Sequence, residues 1–274
     1  MRKSFLALAL IAAALFVACK PKGGSNVVGP VPTDSLETAF VTVKLDTLLR
    51  YPYALEVGLE AEYVTDSRLP AETRDRINSA MMGASLGDDF EAVPIDKVAP
   101  TIVDTLIASF GGEIWDYDDG DLSYWMNENG DPVYSSWHVT GEVGYEAPKG
   151  YISYTIQGDE YHFGAAHGYY YIGVMVFDLS TGLQVHEGDL FVEGYQERLS
   201  ELLNQYVETA ENYEEGFLMV DTIEPNDNFS VHAGGITYFF NPYEITAYCY
   251  GIIDITIPWD ALKDILRPDL NLSF

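Results

Sequence analysis

Tyr151-Ile152-Ser153-Tyr154-Thr155-Ile156-Gln157 and Tyr169-Tyr170-Tyr171-Ile172-Gly173-Val174-Met175-Val176-Phe177-Asp178-Leu179 decide the fold class of this chain. Both are dense in β-branched and aromatic residues, the composition that fits a pleated, half-buried surface, and both read as strands. Pro148-Lys149-Gly150, just before the first, reads as a hairpin turn. Moving outward, the same kind of stretch recurs at Phe40 to Val43, Tyr53 to Tyr63, Ser135 to Tyr145, Gly235 to Phe240 and Ile252 to Ile257. Asn127 to Pro132 reads as a further turn, with Asn129-Gly130-Asp131 tolerating positive φ. Helical spacing is rarer. Leu69 to Ser85 carries Ile77, Ala80, Met81 and Ala84 on one face, and Asp96 to Phe110 carries Val98, Ile102, Leu106 and Phe110. Gly194 to Tyr213 shows a Leu199, Leu202, Leu203, Tyr206 and Val207 stripe, and Pro258 to Leu266 reads as a short last helix. Runs of strands interrupted by few helices predict α+β: two small modules of mainly antiparallel sheet with a few packed helices.

The N-terminus points to export. Arg2 and Lys3 precede an apolar run from Phe5 to Val17, which Val17-Ala18-Cys19 closes. That run is too short for ~30 Å of hydrocarbon, which takes about 20 residues, and has the layout of a secretory signal. A Cys directly after small residues resembles the lipobox of bacterial lipoproteins, in which it is acylated and becomes the new N-terminus. The alternative is an ordinary signal peptide with a Cys nearby. The expected organisation is a signal peptide over 1–18, lipidation at Cys19 and a flexible tether over 19–35, where Lys20 to Thr33 is rich in Gly, Pro and Ser. The expected location is that of an exported, membrane-anchored lipoprotein, on the outer membrane or periplasmic face if the cell is Gram-negative.

Formal charge narrows the partners. The chain carries −29, and losing residues 1–18 removes Arg2 and Lys3 and no acid, giving −31. Nucleic acid is excluded as a natural partner, because phosphate binding needs clustered Lys and Arg. Such a field favours cationic partners, or else serves solubility alone. After Cys19 the only other cysteine is Cys249, so no intrachain disulfide is expected in the body. Its setting, Ala247-Tyr248-Cys249-Tyr250-Gly251, predicts an inert, packed thiol.

An ordered series of motifs follows residue 158. Tyr161-His162-Phe163-Gly164-Ala165-Ala166-His167-Gly168 comes first, then Val176-Phe177-Asp178-Leu179-Ser180-Thr181-Gly182, then Gly188-Asp189-Leu190-Phe191. Tyr238-Phe239-Phe240-Asn241-Pro242-Tyr243-Glu244-Ile245 and Ile255-Thr256-Ile257-Pro258-Trp259 complete it. The series resembles the C-terminal domain of the RsiV family, the lysozyme-receptor anti-sigma factors, a module that also occurs in bacterial lipoproteins and beside the deacetylase domain of PdaC-like enzymes. Residues 36–157 resemble, more weakly, the N-terminal partner domain of those proteins, so the expected domains are 36–157 and 158–274. The usual Gly-Gly-Ala-His-Gly stands here as Gly-Ala-Ala-His-Gly. The resemblance implies capture of lysozyme-like muramidases. The family's signalling segment and membrane helix have no counterpart here, so anti-sigma activity is not carried over.

The same motifs have plain physical readings. Asp178 to Gly182 is a turn closed by side-chain bonds to backbone, and Asn241-Pro242-Tyr243 is a strand exit forced by Pro. Phe239, Phe240, Tyr243 and Trp259 read as core and rim. The candidate binding residues are His167, Tyr169, Tyr170, Tyr171 and Tyr243; His167 either meets a partner or ties its glycine-rich loop to backbone carbonyls. Trp115, Trp125 and Trp137 are candidates for sugar stacking. No cofactor is expected. His162 and His167 lack the further ligands that zinc needs. The acidic run Trp115 to Asp121 fails the EF-hand register, since counted from Asp116 Gly120 falls at position 5 and Asn127 at position 12, which leaves a solvated acidic turn or a noncanonical, weak calcium site. No nucleophile elbow, Walker loop or zinc-protease signature is present, and a non-enzymatic protein is expected. Two functions remain: capture of a cationic protein such as lysozyme, or an accessory lipoprotein binding peptidoglycan or another glycan.

Overall fold

β1 (Thr38–Arg50) and β2 (Tyr53–Val64) form an antiparallel hairpin with Thr38 opposite Val64. Every second residue turns inward: Ala39, Val41, Val43 and Leu45 from β1, Leu55, Val57, Leu59 and Ala61 from β2. Pairing with β2 carries β1 well beyond the Phe40 to Val43 segment read from sequence. The computed structural model describes residues 36–50, 53–112, 134–162, 165–211, 213–270 and 272. The leader, Cys19, the tether, the Asn127 to Pro132 turn, the acidic run at 115–121, Trp115 and Trp125 therefore lie outside the described residues.

α1 (Ala71–Leu86) starts after Pro70, and α2 (Ile95–Gly112) follows a short turn. Ile77, Met81 and Met82 of α1 and Val98 and Ile102 of α2 pack against the inward residues of the hairpin. The chain returns as β3 (Tyr134–Gly144), which pairs parallel with β2. An antiparallel partner can be reached by a tight turn, but two helices carry the chain back over the sheet to its starting end, so this one pair is parallel. β4 (Tyr151–Tyr161), β5 (Tyr169–Asp178) and β6 (Gln184–Val185) then add antiparallel strands in the order β1-β2-β3-β4-β5-β6. The Pro148 to Gly150 turn forms as expected, with Gly150 at φ 89° and the Tyr151 N–H donating to Pro148 O at 2.9 Å. The boundary expected between 157 and 158 falls inside β4, and β5 continues the same sheet.

The rest of the chain builds a second core. α3 (Glu187–Leu190) and α4 (Gln196–Tyr206) precede a three-stranded antiparallel sheet, β7 (Phe229–His232), β8 (Gly235–Phe240) and β9 (Ile253–Pro258), and α5 (Trp259–Leu262) follows. Leu199, Leu202 and Leu203 press onto Ile236, Tyr238, Ile255 and Ile257. Two helices are shorter than their sequence patterns. α4 ends at Tyr206 and runs on only as a 3-10 turn, Val207–Thr209. α5 has four residues, because Pro258 still belongs to β9, opposite Gly235. With its mixed sheets and packed helices the protein is α+β.

Candidate functional site

β5 pairs with β4 along its length, but on its other edge β6 meets only Val176 and Phe177. Two asparagine side chains occupy the edge beyond. Asn241 Oδ1 accepts from Ile172 N at 2.7 Å and its Nδ2 donates to Ile172 O at 3.1 Å. Asn228 Oδ1 accepts from Val174 N at 2.7 Å, and its Nδ2 donates to Ile172 O at 3.1 Å and to Phe239 O at 3.0 Å. Backbone groups at a half-buried edge need partners, and these amides stand where a neighbouring strand would be. They fasten the second core to the first.

Asn241 also starts the turn that presents Tyr243. Pro242 ends β8, Tyr243 takes φ 73°, and its N–H donates to Thr246 O at 3.0 Å. Tyr243 is left 52% exposed, above His167. The His167 Nδ1–H donates to Gly168 O at 2.7 Å, so Nε2 is free to accept from Tyr243 Oη at 3.2 Å. The imidazole stacks on Tyr248 with centroids 4.0 Å apart, and Tyr248 meets Tyr170 edge-on at 5.3 Å. His167 thus ties its own loop and also belongs to an aromatic platform with Tyr170, Tyr243 and Tyr248.

Tyr169-Tyr170-Tyr171 does not act as one patch. Successive strand residues face opposite ways, so Tyr170 joins the platform while Tyr169 and Tyr171 pair with each other at 6.3 Å on the other face. There Tyr171 lies over Gly158, whose missing side chain leaves room for the ring. Burial raises the phenol pKa of all three. Trp137 is half-buried against the first core, and Trp259 donates its indole N–H to His232 O at 3.0 Å. Phe240 is core, as read; Tyr243 is surface. Cys249 corrects its sequence reading: it is exposed, because the 3-10 turn Tyr248–Tyr250 turns it away from its apolar neighbours. His162 faces Glu160 at 3.8 Å while His167 is engaged with Tyr243, so the two imidazoles do not converge on one point. Among the described residues no three His, Cys, Asp or Glu side chains gather as a metal site.

A second polar cluster was missed by sequence reading. Glu187, buried at the start of α3, accepts from Tyr195 Oη at 2.7 Å and from Asp227 N at 3.0 Å. Asp227 returns the bond by accepting from Glu187 N at 2.9 Å, and its other oxygen meets His186 Nδ1 at 2.5 Å. Burial pushes the Glu187 carboxyl above its ordinary pKa. Burial and the Glu187 charge hold the Tyr195 and Tyr238 phenols far above theirs. The carboxylates clasp the turn before β7 to α3; Asn226-Asp227-Asn228, three turn-forming residues in a row, was the available signal.

Residues 188–260, from α3 to the start of α5, match a family described as a protein of unknown function, DUF3298. DUF3298 is related to the RsiV-like and PdaC-type domains that the motifs resemble. A crystal structure of a DUF3298 family member from Bacteroides fragilis is similar over 87% of this chain and 96% of its own, with a TM-score of 0.71 and 21% identity. A DUF3298 family protein from Pseudomonas aeruginosa covers 88% of this chain and 99% of its own, with a TM-score of 0.60 and 13% identity. At these identities the likeness is one of fold. No curated protein matches the sequence.

Proposed function

We propose that the chain is a lipid-anchored cell-envelope protein, RsiV-like in its C-terminal half, that binds a macromolecule rather than transforming one. The observation that carries this reading is the platform of His167, Tyr170, Tyr243 and Tyr248. Its rings are exposed or half-exposed and already held by one another and by the Asn241 turn. Rigid aromatic anchors lose little conformational freedom on binding and dominate interface energetics. The leader ending in Cys19 supports anchoring, and the −29 charge supports a cationic partner, for which lysozyme-like muramidases are the leading candidates.

The test is calorimetric titration of the chain with a panel of lysozymes at low and physiological salt. Expected is one-to-one binding that survives physiological salt and weakens about tenfold or more in His167→Ala or Tyr170→Ala, the loss of one aromatic anchor. Absence of heat at both salts overturns the muramidase reading. A glycan partner is the second reading, favoured by the stacked geometry of the rings. Titration with soluble peptidoglycan fragments separates the two, because sugar stacking is nearly indifferent to salt whereas charge-steered capture is not.

A further inference from the structure

Beside the platform, and sharing Tyr170 with it, lies an open cleft of about 430 Å³ walled by Tyr170, Tyr213 and Tyr250 and edged by Glu211 and Glu214. Its walls are ordered from below. Buried Phe217 meets Tyr213 edge-on at 5.1 Å and Tyr250 edge-on at 5.4 Å. Gly251, at φ 79°, closes the turn past Tyr250, and its lack of a side chain leaves the Tyr170 hydroxyl open to the cleft.

The charges are one-sided. Glu211 and Glu214 are exposed, and among the described residues neither has an ion-pair partner. The cations of the second core are engaged elsewhere: Arg198 with Glu201 and Asp264, Lys263 with Asp260, Arg267 with Asp269. Among the described residues the lining, which Cys249 and Gly251 complete, offers no cationic side chain to an anion. Ring faces attract cations through their quadrupole, and carboxylates at the rim add Coulomb attraction, so ammonium and guanidinium groups fit these walls best.

We infer that this cleft binds the Lys and Arg side chains of a basic polypeptide. The inference deepens the binding function proposed above and rests on it. A polypeptide suits the place because Tyr170 belongs to both the cleft and the platform, so a chain seated in one lies beside the other. The long apolar stems of Lys and Arg pack along the tyrosine rings while their heads reach Glu211 and Glu214.

The experiment titrates the full chain, in mild detergent, with fluorescein-labelled hexalysine at physiological salt and reads anisotropy. Glu211→Gln/Glu214→Gln is compared with Glu142→Gln/Glu197→Gln, which removes the same charge from exposed positions outside the cleft. We expect about tenfold weaker binding in the cleft pair, less than twofold change in the distal pair, and no binding of hexalysine acetylated at its side chains. Tyr213→Leu, which keeps bulk and loses the ring face, is expected to weaken binding severalfold. Equal losses in the two Gln pairs, or binding of the acetylated peptide, overturn the inference. The lysozyme titration separates the two readings. Lysozyme held as tightly by the cleft pair as by the parent sinks the cleft and leaves the platform standing. Cleft-dependent hexalysine binding with a silent lysozyme panel does the reverse.

Discussion

Under α1 and α2, buried polar groups come in matched sets. Asn78 gives its Nδ2 to Val64 O and takes Val64 N on its Oδ1, both at 2.8 Å. Asp66, 1% exposed, would have its pKa raised by burial, yet bonds from the Arg68 side chain and from the Arg68 and Glu37 N–H groups hold it below the ordinary carboxylate range. Ser85 Oγ meets Tyr154 Oη at 3.0 Å, and burial pushes that phenol up to about 12. The half built on β7–β9 is looser. Among the described residues Thr246 Oγ1 is buried without a hydrogen-bond partner, Tyr238 Oη is buried against the Glu187 carboxyl, and Glu187 is a carboxylate that burial makes reluctant to ionise. Leaving the Thr246 hydroxyl unpaired costs about 1–3 kcal/mol. The exposed rings and the aromatic cleft belong to this same half or to the β5 edge that faces it. A region that tolerates local cost while its neighbour does not is where a binding surface is expected, with the six-stranded half as its support.

If the amides of Asn228 and Asn241 fasten the halves as drawn, the molecule unfolds as one unit. Met81→Ala in the first core and Leu199→Ala in the second each remove a fully buried side chain and are expected to cost about 2–5 kcal/mol. Calorimetry should show one transition in the parent, lowered alike by either change. Two transitions, with each variant moving only one, would break that picture. Asn228→Ala comes next in size. It takes the partner from Val174 N and one of the two amide donors from Ile172 O, which predicts a loss of about 1–3 kcal/mol and the appearance of two transitions. A loss without splitting would mean that packing, not the amides, couples the halves.

Glu187→Gln sharpens the contrast through pH. A carboxyl whose folded pKa is raised favours the native state most when it is protonated. That contribution is complete below the unfolded value, near 4.3, and is lost as pH rises through the higher folded value. The parent should therefore lose stability relative to Glu187→Gln between pH 4 and pH 7, read as the difference in their urea midpoints. A constant difference across that range would show that Glu187 titrates alike in the folded and unfolded chain, with no upward shift from burial.

How much of this could be read beforehand follows from how local each signal is. β2 to β5, α1 and the DLSTG turn rest on near neighbours: in the turn, Asp178 Oδ1 accepts from Ser180 N at 2.7 Å and Gly182 takes φ 73°. The parallel pairing of β2 with β3 is set by what the intervening helices do, and no residue of either strand encodes it. β6 and β7 are too short for a period to register. In the candidate site, His167 and Tyr243 stood out by motif, but Tyr248 did not, because its place beside His167 depends on a contact across the fold. Asn241 was legible as a turn residue and not as a strand substitute. Tyr169 and Tyr171 were grouped with Tyr170 although strand alternation already separates them.

The smallest expected effect lies in the scaffold half, on the surface of its sheet. His138 on β3 meets Asp159 of β4 at 3.0 Å and Glu56 of β2 at 3.5 Å, lying across Gly58, where a side chain would collide with the ring. The bond to Asp159 first, then the charges of Asp159 and Glu56, raise its pKa. Because the folded value is the higher one, protonated His138 stabilises the fold fully below about 6.5, and the contribution fades as pH climbs through the raised value. The group is more than a third exposed and solvent-screened, so the effect should stay below about 1 kcal/mol. His138→Asn should lower the melting midpoint at pH 6 and match the parent at pH 8.5. A deficit that persists at pH 8.5 would assign His138 to packing over Gly58, and the six-stranded half would then owe nothing to charge at this face.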